Sequence, residues 1–411
     1  MSIKRILINF LSSVALLNSL LMGMESYNEP PVLSVGIEES LKSVNVSAQH
    51  GFRVFDSSLQ KTLLFTRWNS KALKFEITSR GFGFLQKADI RSVEIEPFKK
   101  GLVYVNGRGY RGKLKLFEDR FGKITVVNLI DLESYLYGVI KSEMLINSPI
   151  EALKAQAVVA RTYAIRNQNK FTAELGFGLT DDVRSQVYNG VEDEHEIARQ
   201  VVKETRGRIL TFEGVPISAF YHSACGGSTL NSKDWHGKSI PYLLSKACPY
   251  CSVYKDYEWD VEFTYAQIKL KLRESGHKIA QIERIEAKSN PDGRLASLRI
   301  IHSGGEIKLS GTQFRSLMGA SVVRSTMAQI GDVNLASNSK ASDSAELAIL
   351  SIIHGRMQKY GSVTFKGTGF GHGVGLCQWG AKGLAVKGFD YEKILKYYYS
   401  GIFVEKLYND K

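Results

Sequence analysis

A carboxylate at one end of an apolar helical stripe is the first feature here that could do chemistry. In DLESYLYGVIKSEM, Asp131 to Met144, the residues Leu132, Tyr135, Leu136, Val139 and Ile140 recur at helical spacing. The pattern predicts a helix with Asp131 as its cap. Eleven residues on from Leu132, at about 100° per residue, the stripe lands on Glu143. Burial disfavours the charged form of a carboxyl group, and a carboxyl that keeps its proton near neutral pH is a general acid. The same Glu143 in an ion pair or cap would be structural. Glu133 falls on the polar side with Tyr137 and Lys141. Arg161, in the following helical segment, is placed to orient Glu143 or contact substrate, or else to pair locally.

Other residues with chemical potential cluster further on. TDDVRSQVYNG offers Asp181 or Asp182 as a second carboxylate, although adjacent Asp residues read first as turn or loop acids. YHSACGG supplies His222 and Cys225, and ACPYC supplies Cys248 and Cys251, with His236 between. Three thiols and a histidine would close a structural zinc site. A disulfide from Cys225 to Cys248 or Cys251 is the preferred reading. Cys377, the fourth cysteine, sits in GFGHGVGLCQWGAKGLA, where a small buried residue is expected. That stretch has no P-loop ending and no dinucleotide fingerprint. Its glycines suit backbone brought close to a ligand or another segment.

These residues need a scaffold. Seven short alternating or β-branched runs between residues 33 and 130 read as strands separated by turns. A helical block follows over 131–168. Its second helix is marked by Ser148, Pro149 and Glu151 as N-cap, first-turn proline and capping-box partner. RGRILTFEGVPISAFYHS reads as a hairpin, a mixed stretch runs to about Arg324, and residues 334–346 are a polar loop. YEKILKYYYSG reads as a last helix. The fold class is α+β: a β-rich N-terminal part, a central helical block and a mixed α/β C-terminal part. The expected division is 25–100 and 101–411, after an N-terminal segment over 1–24.

That segment has Lys4 and Arg5 before an apolar run to Met22, the pattern of a cleaved signal or retained anchor, and implies export. Membrane contact is expected only there. The 411 residues carry a formal charge of +13. That charge suits general polyanion affinity, an anionic membrane face or an anionic polymer such as cell wall; with no basic arm or nucleic-acid motif, nucleic acid is disfavoured.

Five segments, LESYLYGVIKSEM, PIEALKAQAVVARTYAIR, TDDVRSQVYNG, FYHSACGG and GFGHGVGLCQWGAKGLA, resemble the SpoIID/LytB family in the family's order. The resemblance covers roughly Gly101 to Ala385. It implies one of two functions. Sporulation-type members resemble lytic transglycosylases that cut peptidoglycan between N-acetylmuramic acid and N-acetylglucosamine, on glycan denuded by an amidase. LytB-type members are described as non-catalytic enhancers of a cell-wall amidase. The family's catalytic glutamate lies in the SEM segment, which puts it at Glu143. The resemblance implies a glycan groove drawing on Arg161, Tyr163, Ser185, Gln186, Tyr188, His222, His372 and Gln378. The partners implied are peptidoglycan glycan strands and a cell-wall amidase, with the protein in the periplasm or on the cell-wall side of the membrane. No cofactor and no catalytic metal are implied. Some members carry a Cys/His zinc site around TDDVRSQVY, but Leu179, Arg184 and Ser185 stand there in this chain.

Overall fold

The computed structural model describes residues 27–66, 71–79, 81–83, 90–334 and 361–408. The expected leader over 1–24 and residues 335–346 of the expected polar loop lie outside the described residues. Among the described residues no helix is long and apolar enough to cross a membrane. The structure is mixed α+β, as the sequence pattern requires. Contacts divide the chain into two units, one running to Ala219 and resuming at Ile402, the other Phe220–Gly401. Strands on both sides of residue 100 pair with each other, as Val46 with Val105 and Leu114 with Ile95. The expected division at 100/101 therefore does not match the contacts.

In the first unit, alternation of apolar residues builds a seven-stranded sheet. Its order is Leu179–Thr180, Val32–Leu41, Ile124–Asp131, Lys113–Glu118, Ser92–Pro97, Phe52–Asp56 and Lys61–Phe65. All pairings are antiparallel except the first. Val35, Val126, Leu114, Leu116, Val93, Ile95 and Val54 are fully buried, each worth about 1.5–3 kcal/mol of burial. A five-stranded sheet, from Gly81–Phe82 to Arg108–Tyr110, completes the β part.

Strand Ile124–Asp131 runs directly into helix α1 (Leu132–Glu143), where the Asp131 carboxylate accepts from the Ser134 amide at 3.0 Å. The predicted stripe is fully buried. Helix α2 (Ile150–Asn167) buries Ala152, Ala155, Ala157, Ala160 and Ala164 against its neighbours. The expected Ser148 cap does not form, because Pro149 occupies the N-cap position with no side-chain cap. Glu151 pairs with Lys154 at 2.9 Å rather than reaching back. Helix α3 (Glu196–Glu204) packs on α1 and α2. The predicted hairpin forms between Arg208–Phe212 and Val215–Pro216, and the first of these strands also pairs with the C-terminal strand Phe403–Lys406.

The second unit has its core around Phe263, Phe314, Phe365, Ile268, Leu298 and Val363. Helices α4 (Tyr265–Glu274) and α5 (Gly311–Met318) cover it, each begun by a capping box, Thr264 with Gln267 and Ser310 with Gln313. The second half of the glycine-rich stretch forms helix α6 (Gln378–Val386), and α7 (Tyr391–Tyr398) follows it. The last is the helix the sequence predicts there.

Candidate active site

Glu143 is the last residue of α1 and half-buried. One carboxylate oxygen accepts the Val187 amide proton at 2.8 Å. At a helix C-terminus the unpaired carbonyls disfavour negative charge, and the Val187 amide offsets that by orienting the carboxylate. The loop carrying Val187 lies tight on α1. A Cβ at Gly138 would come within 2.7 Å of the Gly190 carbonyl, and the Ser142 hydroxyl donates to Asp193 at 2.7 Å. Two tyrosines feel the Glu143 charge. Tyr163 is pushed up to about 12, by burial first and Glu143 second. Tyr135 is pushed well above its ordinary value by burial, then by Glu143.

Arg161 does not reach Glu143. It is completely buried and grips Glu133 in a bidentate pair, at 2.7 and 2.9 Å. Its remaining contacts are the carbonyls of Arg208 and Val202. Glu133, expected on the polar side, is only 2% exposed. It accepts additionally from the Tyr408 hydroxyl and from the Gly207 amide at 3.4 Å. The helical wheel misplaced it because α2 and the chain's C-terminus cover that face. Arg161 is thus a structural cation, not a substrate contact.

The 180–190 loop is built from local bonds. Ser185 Oγ accepts the Thr180 amide at 3.1 Å. Gln186 is fully buried and accepts the Tyr135 hydroxyl at 3.4 Å. Tyr188 is buried, donates to Asn128 at 3.0 Å, and its ring lies 4.9 Å from that of Tyr135. Gln186 and Tyr188 therefore support the loop from beneath instead of lining a groove. Of the two acids the sequence offers as a second carboxylate, Asp181 is the one whose titration is raised. Burial and then the Asp182 charge push it up to about 6. Burial also pushes Asp182 upward, but hydrogen bonds from Arg184 and Thr180 outweigh it and hold that carboxyl low. Neighbouring acids with titrations driven apart are a mark of acid–base sites. The adjacent Asp pair was the only local signal.

In the second unit the glycine-rich stretch packs against the 220–226 segment. A Cβ at Gly375 would meet the Phe220 carbonyl at 2.0 Å, and one at Gly369 the Ala224 carbonyl at 2.5 Å; both residues have positive φ. Of the sequence alternatives, ligand or another segment, the described residues show another segment. His372 is half-buried and both its nitrogens are engaged. Nε2 donates to the Tyr221 carbonyl at 2.9 Å and Nδ1 accepts the Val374 amide at 3.1 Å. Burial pushes it down to about 4, so the ring is neutral at pH 7. Its face stacks on Trp235, centroids 4.9 Å apart. His222 is buried and donates from Nδ1 to the Val374 carbonyl at 3.2 Å. Gln378 is buried at the start of α6. Glu143 belongs to the first unit and His222, His372 and Gln378 to the second.

The four cysteines are all buried and none is disulfide-bonded. The preferred pairing of Cys225 with Cys248 or Cys251 is not formed. The four thiols converge on one point, with Cys225 and Cys251 sulfurs 3.5 Å apart, well beyond the S–S bond length of about 2.05 Å.

A family model described as stage II sporulation protein matches residues 120–212, the span that holds α1, α2 and the Val187 loop. An uncharacterised protein of Brachyspira hyodysenteriae is 31% identical over 317 residues, 75% of this chain and 77% of the relative. Stage II sporulation protein D of Bacillus subtilis is 29% identical over 289 residues, 67% of this chain and 74% of the relative. The amidase enhancer of Bacillus subtilis is 28% identical over 317 residues, 65% of this chain and 39% of the relative. The chain belongs to the SpoIID/LytB family. The SpoIID match lies wholly in the first unit, and the helix that ends in Glu143 falls within it.

Proposed function

We propose that this SpoIID/LytB protein is an exported peptidoglycan lytic transglycosylase with Glu143 as its general acid and base. The observation that carries the reading is the placement of Glu143: a half-buried carboxylate at a helix end, aimed by the Val187 amide and flanked by Tyr135 and Tyr163. The protonated carboxyl gives its proton to the glycosidic oxygen as the C1–O bond breaks. The muramoyl C6 hydroxyl then attacks C1, and its proton goes to the Glu143 carboxylate, which closes the 1,6-anhydro ring and restores the acid. One carboxyl suffices, whereas hydrolysis calls for two. The substrate is the glycan strand of the cell wall, with amidase-denuded glycan preferred. The +13 charge suits an anionic wall polymer.

The test is mass spectrometry of products from intact and amidase-treated sacculi. Products ending in 1,6-anhydro-N-acetylmuramic acid are expected, with a loss of about 10²–10⁴-fold on Glu143→Gln. Reducing-end products would instead assign hydrolysis, with Asp181 as the second carboxyl. No cleavage of denuded glycan would sink the enzymatic reading. A second reading is favoured by the match to the amidase enhancer: a glycan-gripping partner of a cell-wall amidase. It expects glycan binding and stimulated stem-peptide release that survive Glu143→Gln.

A further inference from the structure

We infer that Cys225, Cys248, Cys251 and Cys377 hold a structural zinc ion in a closed four-thiolate site within the second unit. All four sulfurs lie within 4.8 Å of one another, with Cys225 and Cys251 at 3.5 Å. Zinc–sulfur bonds of about 2.3 Å set the edge of a tetrahedron at about 3.8 Å, inside that range. Each cysteine is at most 1% exposed, so the sphere leaves no open position for water or substrate, which is the mark of a structural site.

The backbone around the sulfurs is shaped for thiolates. Cys248-Pro-Tyr-Cys251 is a C-x-x-C pair on a single turn of 3-10 helix, Pro249–Val253. Cys225 precedes Gly226 and Gly227, both with positive φ. Cys377 is the N-cap of α6, and its sulfur accepts the Gly380 amide at 3.3 Å and the Cys225 amide at 3.3 Å. The Tyr398 hydroxyl lies 3.2 Å from the Cys248 sulfur. Such donors orient and stabilise metal-bound thiolates. A Cβ on Gly380 would lie 2.4 Å from the Cys248 sulfur, so α6 can approach the cluster only with glycine there. Four thiolates and one Zn²⁺ carry a net charge of −2. Arg294, 1% exposed, donates to the Cys225 carbonyl at 2.7 Å and places a buried cation beside that charge. Zinc suits the set because tetrahedral sulfur ligation selects zinc or iron, and zinc cannot change oxidation state. The ion would fasten the 225 loop, the 248–251 turn and the start of α6 to one point. The site uses none of the residues assigned to glycan cleavage.

The experiment uses the full chain purified without chelator and analysed by inductively coupled plasma mass spectrometry. About one zinc per chain is expected. The four thiols should be silent to Ellman's reagent until a mercurial releases the ion. Cobalt reconstitution should give thiolate charge-transfer bands and tetrahedral ligand-field bands. Stripping zinc with a strong chelator should lower Tm by on the order of 10 °C or more, reversed by zinc, since such ions contribute folding energy directly. Cys248→Ser should lose the ion. If that variant does not fold, the chelator titration of the wild type still decides. Iron in place of zinc, a mass deficit of two hydrogens per bridge, or four reactive thiols that take up no zinc under reducing conditions would each overturn the assignment.

Discussion

Two glutamates on one helix are expected to fail in opposite ways, and the sharper test falls on Glu133. Arg161 is completely buried and Glu133 nearly so, joined at 2.7 and 2.9 Å. Removing one partner of a buried pair strands the other charge and costs about 3–5 kcal/mol. Arg161→Met leaves Glu133 with the Tyr408 hydroxyl and the Gly207 amide. Glu133→Gln leaves the guanidinium with the Arg208 and Val202 carbonyls and an amide oxygen. Both should fall in that range, with Arg161→Met at its upper end because the stranded carboxylate loses two charge-assisted bonds. At about 2–4 °C per kcal/mol for a unit of this size, the Tm should drop by about 6–20 °C. The double variant Glu133→Leu, Arg161→Met removes both charges and should be more stable than Arg161→Met alone. Urea denaturation followed by circular dichroism measures all three. Single variants costing less than about 1 kcal/mol would refute the argument. So would an Arg161→Met protein of full stability that no longer cleaves glycan, which would return Arg161 to the substrate.

Glu143→Gln should abolish anhydro products while leaving the urea midpoint within experimental scatter, because the side chain is half-buried at a helix end. Asp181 titrates at about 6 when folded and 3.8 when unfolded. Between those values the folded state binds more protons, so this residue's effect on stability worsens as pH rises and is complete above pH 6. Asp181→Asn should therefore match the wild type near the unfolded value and exceed it at neutral pH, by denaturation at the two pH values; a difference that does not change with pH would contradict this. Gly375→Ala should destabilise the second unit by more than the 1–3 kcal/mol of backbone strain alone, because its Cβ meets the Phe220 carbonyl at 2.0 Å. A variant with unchanged melting would show that the stretch moves freely.

What was legible in the sequence follows the range of the physics. Period-2 and period-3.6 patterns are local, so the strands, α1 with its Asp131 cap and α7 could be read directly. Glu143 was legible for the same reason, as the polar end of an apolar stripe. Glu133 was not, because its hydroxyl donor, Tyr408, is 275 residues away in sequence. The cysteine cluster failed similarly: three thiols are near one another in sequence, but the fourth arrives from Cys377 at the head of α6. His372 looked like a group projecting from a glycine loop. The positive φ of its neighbours turns the ring back onto the Tyr221 carbonyl. The Ser148 cap was a valid local signal that the adjacent Pro149 displaced.

The first unit is closed by the last residues of the chain: Phe403–Lys406 pairs with Arg208–Phe212, and Tyr408 reaches Glu133. Synthesis therefore presents Glu133 and Arg161 long before their final cover. At about 5–20 residues per second, the roughly 180 residues from Phe220 to Gly401 delay that cover by about 10–40 s. Through that interval the helix carrying Glu143 rests on an unfinished floor. A chain still being made, or threaded outward in an unfolded state, would thus hold its acid on an incomplete support until residues 403–408 dock.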